Sequence, residues 1–166
     1  TAQAHERLFF VEVMGREAGF IALEAGIAGG ATDILVPEIP QDINSLCQEL
    51  QDGFKAGRRS SIVVVAEGEV PGGAYEIAKK VKDCSGLESR VCVLGHIQRG
   101  GSPMARDRVL ASKLGVAAVD ALVKGRYGVV IGEKKGEITY TPFKETFEKK
   151  KKLDPDLIRA LRVLSK

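Results

Sequence analysis

The sequence predicts an α/β protein, a parallel-sheet sandwich with flanking helices. Three observations carry the prediction. Short apolar runs alternate with longer stretches of helical spacing. The run 61–66 (SIVVVA) is β-branched and apolar on both faces, as a central parallel strand is. Hydrophobic residues at 44% and charged residues at 28% suit a globular chain that buries one core. With 166 residues, no linker and no internal repeat, the chain reads as a single domain spanning 1–166.

The first strand is expected over 8–14 (LFFVEVM), too short for a helix and rich in Phe and Val. A helix over 18–28 follows and stops at Gly29-Gly30. Residues 34–36 form a second strand ended by Pro37. Asp42 suits the N-cap of a helix over 43–55 that closes at Gly57. The strand at 61–66 is third, followed by a helix over 74–84 and a fourth strand over 90–94. A long helix spans 105–124. A fifth strand at 129–132 leads through a polar turn, 133–136, to an extended piece at 138–141. The tail holds a basic run at 149–152 and a helix over 155–165, with Pro155 in its first turn.

Composition excludes several classes. A net charge of +3 selects no partner. Cys47, Cys84 and Cys92 are scattered and lack metal-ligand spacing, so neither a zinc site nor a disulfide framework is expected. Cys92, in an apolar run, reads as a small buried hydrophobe. The first residues lack the cationic start and apolar stretch of a signal peptide. No run reaches the roughly 18 apolar residues of a membrane helix. The lysines at 149–152 read as a solvated helix end, because no groove-reading or aromatic motif accompanies them. The expectation is a cytoplasmic protein with no membrane or nucleic-acid partner.

In an open parallel sheet, ligands lie beyond the carboxyl ends of the strands. The first strand ends in Met14-Gly15-Arg16, the third in Glu67-Gly68, and the fourth in Gly95-His96-Ile97-Gln98-Arg99-Gly100-Gly101. One edge thus gathers two arginines, a histidine, a carboxylate and several glycines. Arg and His donate to phosphate oxygens, glycine lets backbone approach a ligand, and a carboxylate suits sugar hydroxyls. A phosphorylated sugar satisfies the whole set. Arg7 and Arg90 each stand nine positions before the arginine that ends their segment. At about 3.3 Å per residue an extended run of that length spans roughly 30 Å, which puts both at the opposite edge. They are either surface charges or parts of a site completed by another subunit.

The stretch from Arg90 through His96, Gln98, Arg99 and Gly100-Gly101 to Asp107-Arg108 resembles the signature of phosphofructokinases. Met14-Gly15-Arg16 is similar to the family's Met-Gly-Arg loop, and Glu67-Gly68 to its sugar-binding carboxylate loop. The likeness runs over about 1–133, and the tail from Lys134 is less telling. It implies that Met14 and Gly15 shape a sugar pocket, that Arg16 faces the transferring phosphoryl group, and that Glu67 accepts from fructose hydroxyls. It also implies that His96 and Arg99 grip the 6-phosphate, and that Arg7 and Arg90 reach a neighbouring subunit's site in a homotetramer. Gly30 and Arg58 match positions that contact an effector. Thr32 and Ala56 depart from the Glu and Arg of effector-regulated members, which points toward nonallosteric or pyrophosphate-dependent relatives.

The chain has no glycine-rich nucleotide loop, Gly-Gly-Asp segment or Thr-Ile-Asp-Asn-Asp-like motif with a general base. It is expected to be the C-terminal, fructose 6-phosphate-binding half of a glycolytic 6-phosphofructokinase, inactive alone. The magnesium ligands and the ATP or pyrophosphate site would then lie in a nucleotide-binding half that is absent here. The rival expectation is a noncatalytic sugar-phosphate-binding or regulatory module.

Overall fold

The computed structural model describes residues 2, 7–40, 42–68 and 70–164. The chain, read from its sequence as one domain, divides into two compact units: 1–100 with 153–166, and 101–152.

The first unit is built on a four-stranded parallel sheet of β1 (Leu8–Val13), β2 (Asp33–Leu35), β3 (Ser61–Ala66) and β4 (Ser89–Val93), in the order β2-β3-β1-β4. Its helices are α1 (Phe20–Ala28), α2 (Ile43–Lys55) and α3 (Gly73–Ser85). Strand alternation divides the core between the two faces. Leu8 and Phe10 of β1 join Val63 and Val65 of β3 against α2 and α3. Val13, Val64 and Ala66 face the other way, against α1 and the C-terminal helix. Phe10 is fully buried, a contribution of roughly 2–3 kcal/mol. The expected sandwich with helices on both faces is therefore present.

Two carboxylates hold helix starts, Glu12 from strand β1 and Glu38 from the turn after β2. Glu12 stands on the α2–α3 face of β1, where apolar residues precede it, and accepts the Ala74 N–H at 2.7 Å. The N-cap of α3 is Gly72, which has no side chain to cap with, so a strand residue supplies the anion that a helix N-terminus favours. A Cβ on Gly73 would come within 2.3 Å of the Glu12 carboxylate. Glu38 accepts the Gly19 N–H at the start of α1 at 3.0 Å. The Asp42 cap of α2 forms as expected, accepting from Asn44 and Ser45. Those bonds, led by the Asn44 backbone N–H, hold the Asp42 carboxyl below its usual range. The cap is therefore intact above ordinary carboxylate pKa values and weakens as pH falls through the lowered one.

The second unit holds α4 (Ala105–Val123), the antiparallel hairpin β5 (Val129–Lys134) and β6 (Glu137–Pro142), and the short α5 (Phe143–Glu148). Lys135 and Gly136 link the strands with φ of 54° and 83°, the two positive values that a tight two-residue hairpin turn requires. The fifth strand thus pairs with the sixth, outside the parallel sheet. Helix α5 was not foreseen: Lys149 follows it and pairs with Glu145. Asp107 accepts the Met104 N–H at 2.8 Å and so caps α4. The final helix, α6 (Pro155–Leu164), belongs to the first unit. The expected end at Ser165 lies outside the described residues. No described helix is long and apolar enough to cross a membrane.

Two expectations about cysteine are corrected. Cys47 of α2 and Cys84 of α3 form a disulfide, their Cα atoms 6.5 Å apart, within the span such a bond needs. Their sequence separation of 37 gave no cue; two helices packed on one sheet face bring them together. Cys92 is exposed rather than buried. It lies on β4, the edge strand of the sheet, one position after Val91 has turned toward the α2–α3 core. In unreduced protein, peptide mapping should recover Cys47 linked to Cys84, with Cys92 alkylated. Alkylation of all three cysteines would contradict the assignment.

Candidate functional site

Central strand β1 delivers the Met14-Gly15-Arg16 loop between the loops that follow its neighbours, β3 and β4. The sheet ladder runs out here, and side chains continue it. The Glu67 N–H still donates to the Val13 carbonyl at 2.8 Å, and the Leu94 N–H to the Glu12 carbonyl at 3.1 Å. Beyond them, the Arg16 N–H donates to Glu67 Oε1 at 2.9 Å, and the Met14 N–H donates to Gln98 Oε1 at 2.9 Å.

Arg16 adopts a left-handed φ of 54°, which costs a side-chain-bearing residue about 1–2 kcal/mol. The bond to the Glu67 carboxylate, exposed to solvent, offsets part of that cost. Gly68, at φ 87°, lies so close that a Cβ on it would stand 2.4 Å from the Arg16 carbonyl oxygen. A Cβ on Gly15 would meet the Ala18 carbonyl oxygen at 2.2 Å. Both glycines are therefore needed for close backbone approach.

After β4 the chain winds into a 3-10 turn over Gly95–Arg99. At three residues per turn, His96 and Arg99 fall on the same side. Both are exposed, whereas Gln98 is half-buried. Among the described residues, the side chains of Arg16, His96 and Arg99 make no hydrogen bond or ion pair. Glu67 is half-buried, with Oε1 committed to Arg16 and Oε2 available. The strand-end loops thus offer two guanidinium groups, an imidazole and one open carboxylate oxygen. That suits an anion joined to hydroxyl donors.

Arg7 and Arg90 do not join this group. Arg7 precedes β1 and Arg90 pairs in register with Phe9, so both lie toward the amino ends of adjacent strands. The run from Arg90 to Arg99 is only partly extended, because Gly95–Arg99 is a 3-10 turn. Its span is shorter than the extended-chain figure, although the two ends remain opposite. Gly30 and Arg58 also lie on the amino side, ahead of β2 and β3. Arg58 lines a cavity of about 900 Å³ with Asp52, Arg159 and Arg162, and Gly30 is not among its walls. The Thr32 hydroxyl accepts the Ile62 N–H at 3.3 Å, a contact with the sheet rather than with open space.

No group of three or more His, Cys, Asp or Glu side chains converges among the described residues as a metal site requires. No step is routed through a metal ion in these residues. The sequence holds Gln98 inside a motif but gives no cue to its role. For Glu12 the one signal is a charge within an apolar strand.

The family model described as Phosphofructokinase matches residues 1–122. The ATP-dependent 6-phosphofructokinase 1 of Thermus thermophilus is 54% identical over 165 residues, covering 99% of this chain and 51% of the relative. The ATP-dependent 6-phosphofructokinase 2 of Bacteroides thetaiotaomicron is 48% identical, with 99% and 51% covered. The chain spans about half the length of the curated relatives it matches. Among solved structures, phosphofructokinase from Saccharomyces cerevisiae aligns with a TM-score of 0.79 at 34% identity, covering 98% of this chain and 22% of that one. The pyrophosphate-dependent phosphofructokinase of Marinobacter aquaeolei aligns at 0.75 and 27% identity, covering 95% and 47%.

The contact between the two loops can be tested with paired glycine substitutions. Gly68→Ala is expected to destabilise the protein by about 1–3 kcal/mol through strain and the clash with Arg16. Gly100→Ala, at φ −104° with its nearest non-neighbouring atom 3.7 Å from the added Cβ, should stay within about 0.5 kcal/mol. Denaturant unfolding of both variants measures the difference, and equal stabilities would contradict the geometry.

Proposed function

Because the chain belongs to the phosphofructokinase family, we propose that it supplies the acceptor-sugar half of a 6-phosphofructokinase. That enzyme transfers a phosphoryl group to the 1-hydroxyl of fructose 6-phosphate in glycolysis. The observation that carries the reading is the convergence of three strand-end loops at one edge, with Arg16, His96 and Arg99 left without internal partners among the described residues. The donor is ATP or pyrophosphate. ATP is favoured, since the relatives at 54% and 48% identity carry ATP-dependent names, whereas the pyrophosphate-dependent neighbour is 27% identical.

In this reading His96 and Arg99 bind the 6-phosphate from one side of the 3-10 turn. Met14 and Gly15 shape the pocket floor, and Glu67 Oε2 accepts from a sugar hydroxyl. As the 1-hydroxyl approaches the donor's terminal phosphorus, the Arg16 guanidinium stabilises the charge on the transferring oxygens. Phosphoryl transfer depends mainly on such positioning and electrostatic stabilisation, which these residues offer. The general base, the donor site and the divalent-metal (Mg2+) ligands belong to a segment outside residues 1–166, which would serve as one sugar-phosphate domain.

Arg7 and Arg90, at the opposite edge, are proposed to complete the site of a neighbouring subunit in a homotetramer. Arg58 and Gly30 are proposed as effector contacts, with the cavity beside Arg58 serving the Arg58 part alone. A cytoplasmic location follows from the glycolytic role.

Arg99→Ala and His96→Ala in the full-length enzyme each remove a charge-assisted or polar grip on phosphate. The KM for fructose 6-phosphate should rise roughly tenfold to 100-fold, while the KM for the donor changes by less than about threefold. An unchanged sugar KM in both variants would contradict the proposal. A full-length protein that binds fructose 6-phosphate but transfers no phosphoryl group would point instead to a noncatalytic module.

A further inference from the structure

We infer that Gln98 is a positioning residue, one that pins the Met14–Arg16 loop to the turn carrying His96 and Arg99. The inference rests on the sugar-phosphate reading of that edge. Parallel pairing of β1 with β4 ends at Glu12 and Val93. One residue later the partner chain turns into the 3-10 segment, so no strand carbonyl continues the ladder opposite Met14. Gln98 Oε1 fills that position, 84 residues away in sequence, and accepts the Met14 N–H at 2.9 Å.

A carboxamide presents its oxygen to a backbone N–H, which fixes its orientation here. Gln98 is half-buried while its neighbours Ile97 and Arg99 are exposed. Its side chain therefore faces the protein while those of His96 and Arg99 face outward. On the other flank, Glu67 Oε1 holds the Arg16 N–H. The loop is thus secured by one side-chain acceptor from each neighbouring strand's loop. Removal of the Gln98 acceptor frees the Met14 end, and with it the placement of the Arg16 guanidinium. The chemistry of His96 and Arg99 is left unchanged.

This role separates kcat from KM. A grip on phosphate acts alike in ground and transition states, whereas misplacement of Arg16 is felt where charge moves. In the full-length enzyme, Gln98→Met, close in size but with no oxygen acceptor, should lower kcat about tenfold, the loss expected for one hydrogen bond. The KM for fructose 6-phosphate should rise less than about threefold, because Met14 adds only to the pocket floor while His96 and Arg99, which hold the phosphate, keep their groups. A KM increase of tenfold with kcat intact would overturn the inference by making Gln98 a ligand contact. A lowered melting temperature with both constants intact would overturn it by making the residue merely structural.

Amide hydrogen exchange gives a readout that needs no activity. Protection of the Met14 amide should drop at least tenfold in Gln98→Met and persist in Gln98→Glu, which retains an oxygen acceptor. Unchanged protection in Gln98→Met would refute the pinning even in an active enzyme. If the wild-type protein proves inactive, lost protection in Gln98→Met with recovery in Gln98→Glu still supports the pinning, and the functional reading alone fails.

Discussion

Two backbone N–H groups just past the end of the central strand govern the site. Sheet hydrogen bonding stops at Val13, and the Met14 and Arg16 amides would face solvent or a ligand without partners. Glu67 and Gln98 satisfy them from opposite sides. An unpaired Met14 N–H is costly because it is partly buried, whereas the Arg16 contact is exposed and contributes less; both side chains nonetheless shape the loop. They set its path, hold Arg16 in a left-handed conformation, and bring the ends of β1, β3 and β4 into one surface. The glycines follow from that closeness: Gly15 and Gly68 occupy places where a Cβ would overlap carbonyl oxygens.

The same reasoning divides the labour within the stretch that identifies the family. His96 and Arg99 share one side of a 3-10 turn and project outward. Gln98 turns inward and carries a backbone contact. Asp107, further along, accepts the Met104 N–H and starts α4. A single run of sequence therefore mixes outward-facing, backbone-holding and helix-capping residues. The cap at Asp107 gives an acidic residue a structural reason to stand at that place.

Much of this was legible beforehand. The strand at Ser61–Ala66 and the helix at Ile43–Lys55 fell at their expected bounds, because continuous β-branched character and an Asp cap are strong local signals. The clustering of Met14, Gly15, Arg16, Glu67, His96 and Arg99 followed from a general rule about strand ends in parallel sheets. What escaped was tertiary in origin. Hairpin pairing of β5 with β6 depended on positive φ at Lys135 and Gly136, and Lys is an uncommon choice there. The Cys47–Cys84 bond depended on two helices lying side by side. Glu12 looked like an interruption in an apolar strand until the glycine-capped start of α3 stood beside it. Cys92 was misread because an apolar run conceals which strand will be last in the sheet. Gln98 had a visible motif but no visible partner, since Met14 lies 84 positions away.

The central claim is that this edge recognises a phosphate joined to a sugar. Calorimetric titration of the full-length protein with fructose 6-phosphate and, separately, with fructose tests it most directly. Two polar grips on the phosphate should make fructose 6-phosphate bind roughly 100-fold more tightly than the unphosphorylated sugar. Equal affinities, or tighter binding of fructose, would contradict it.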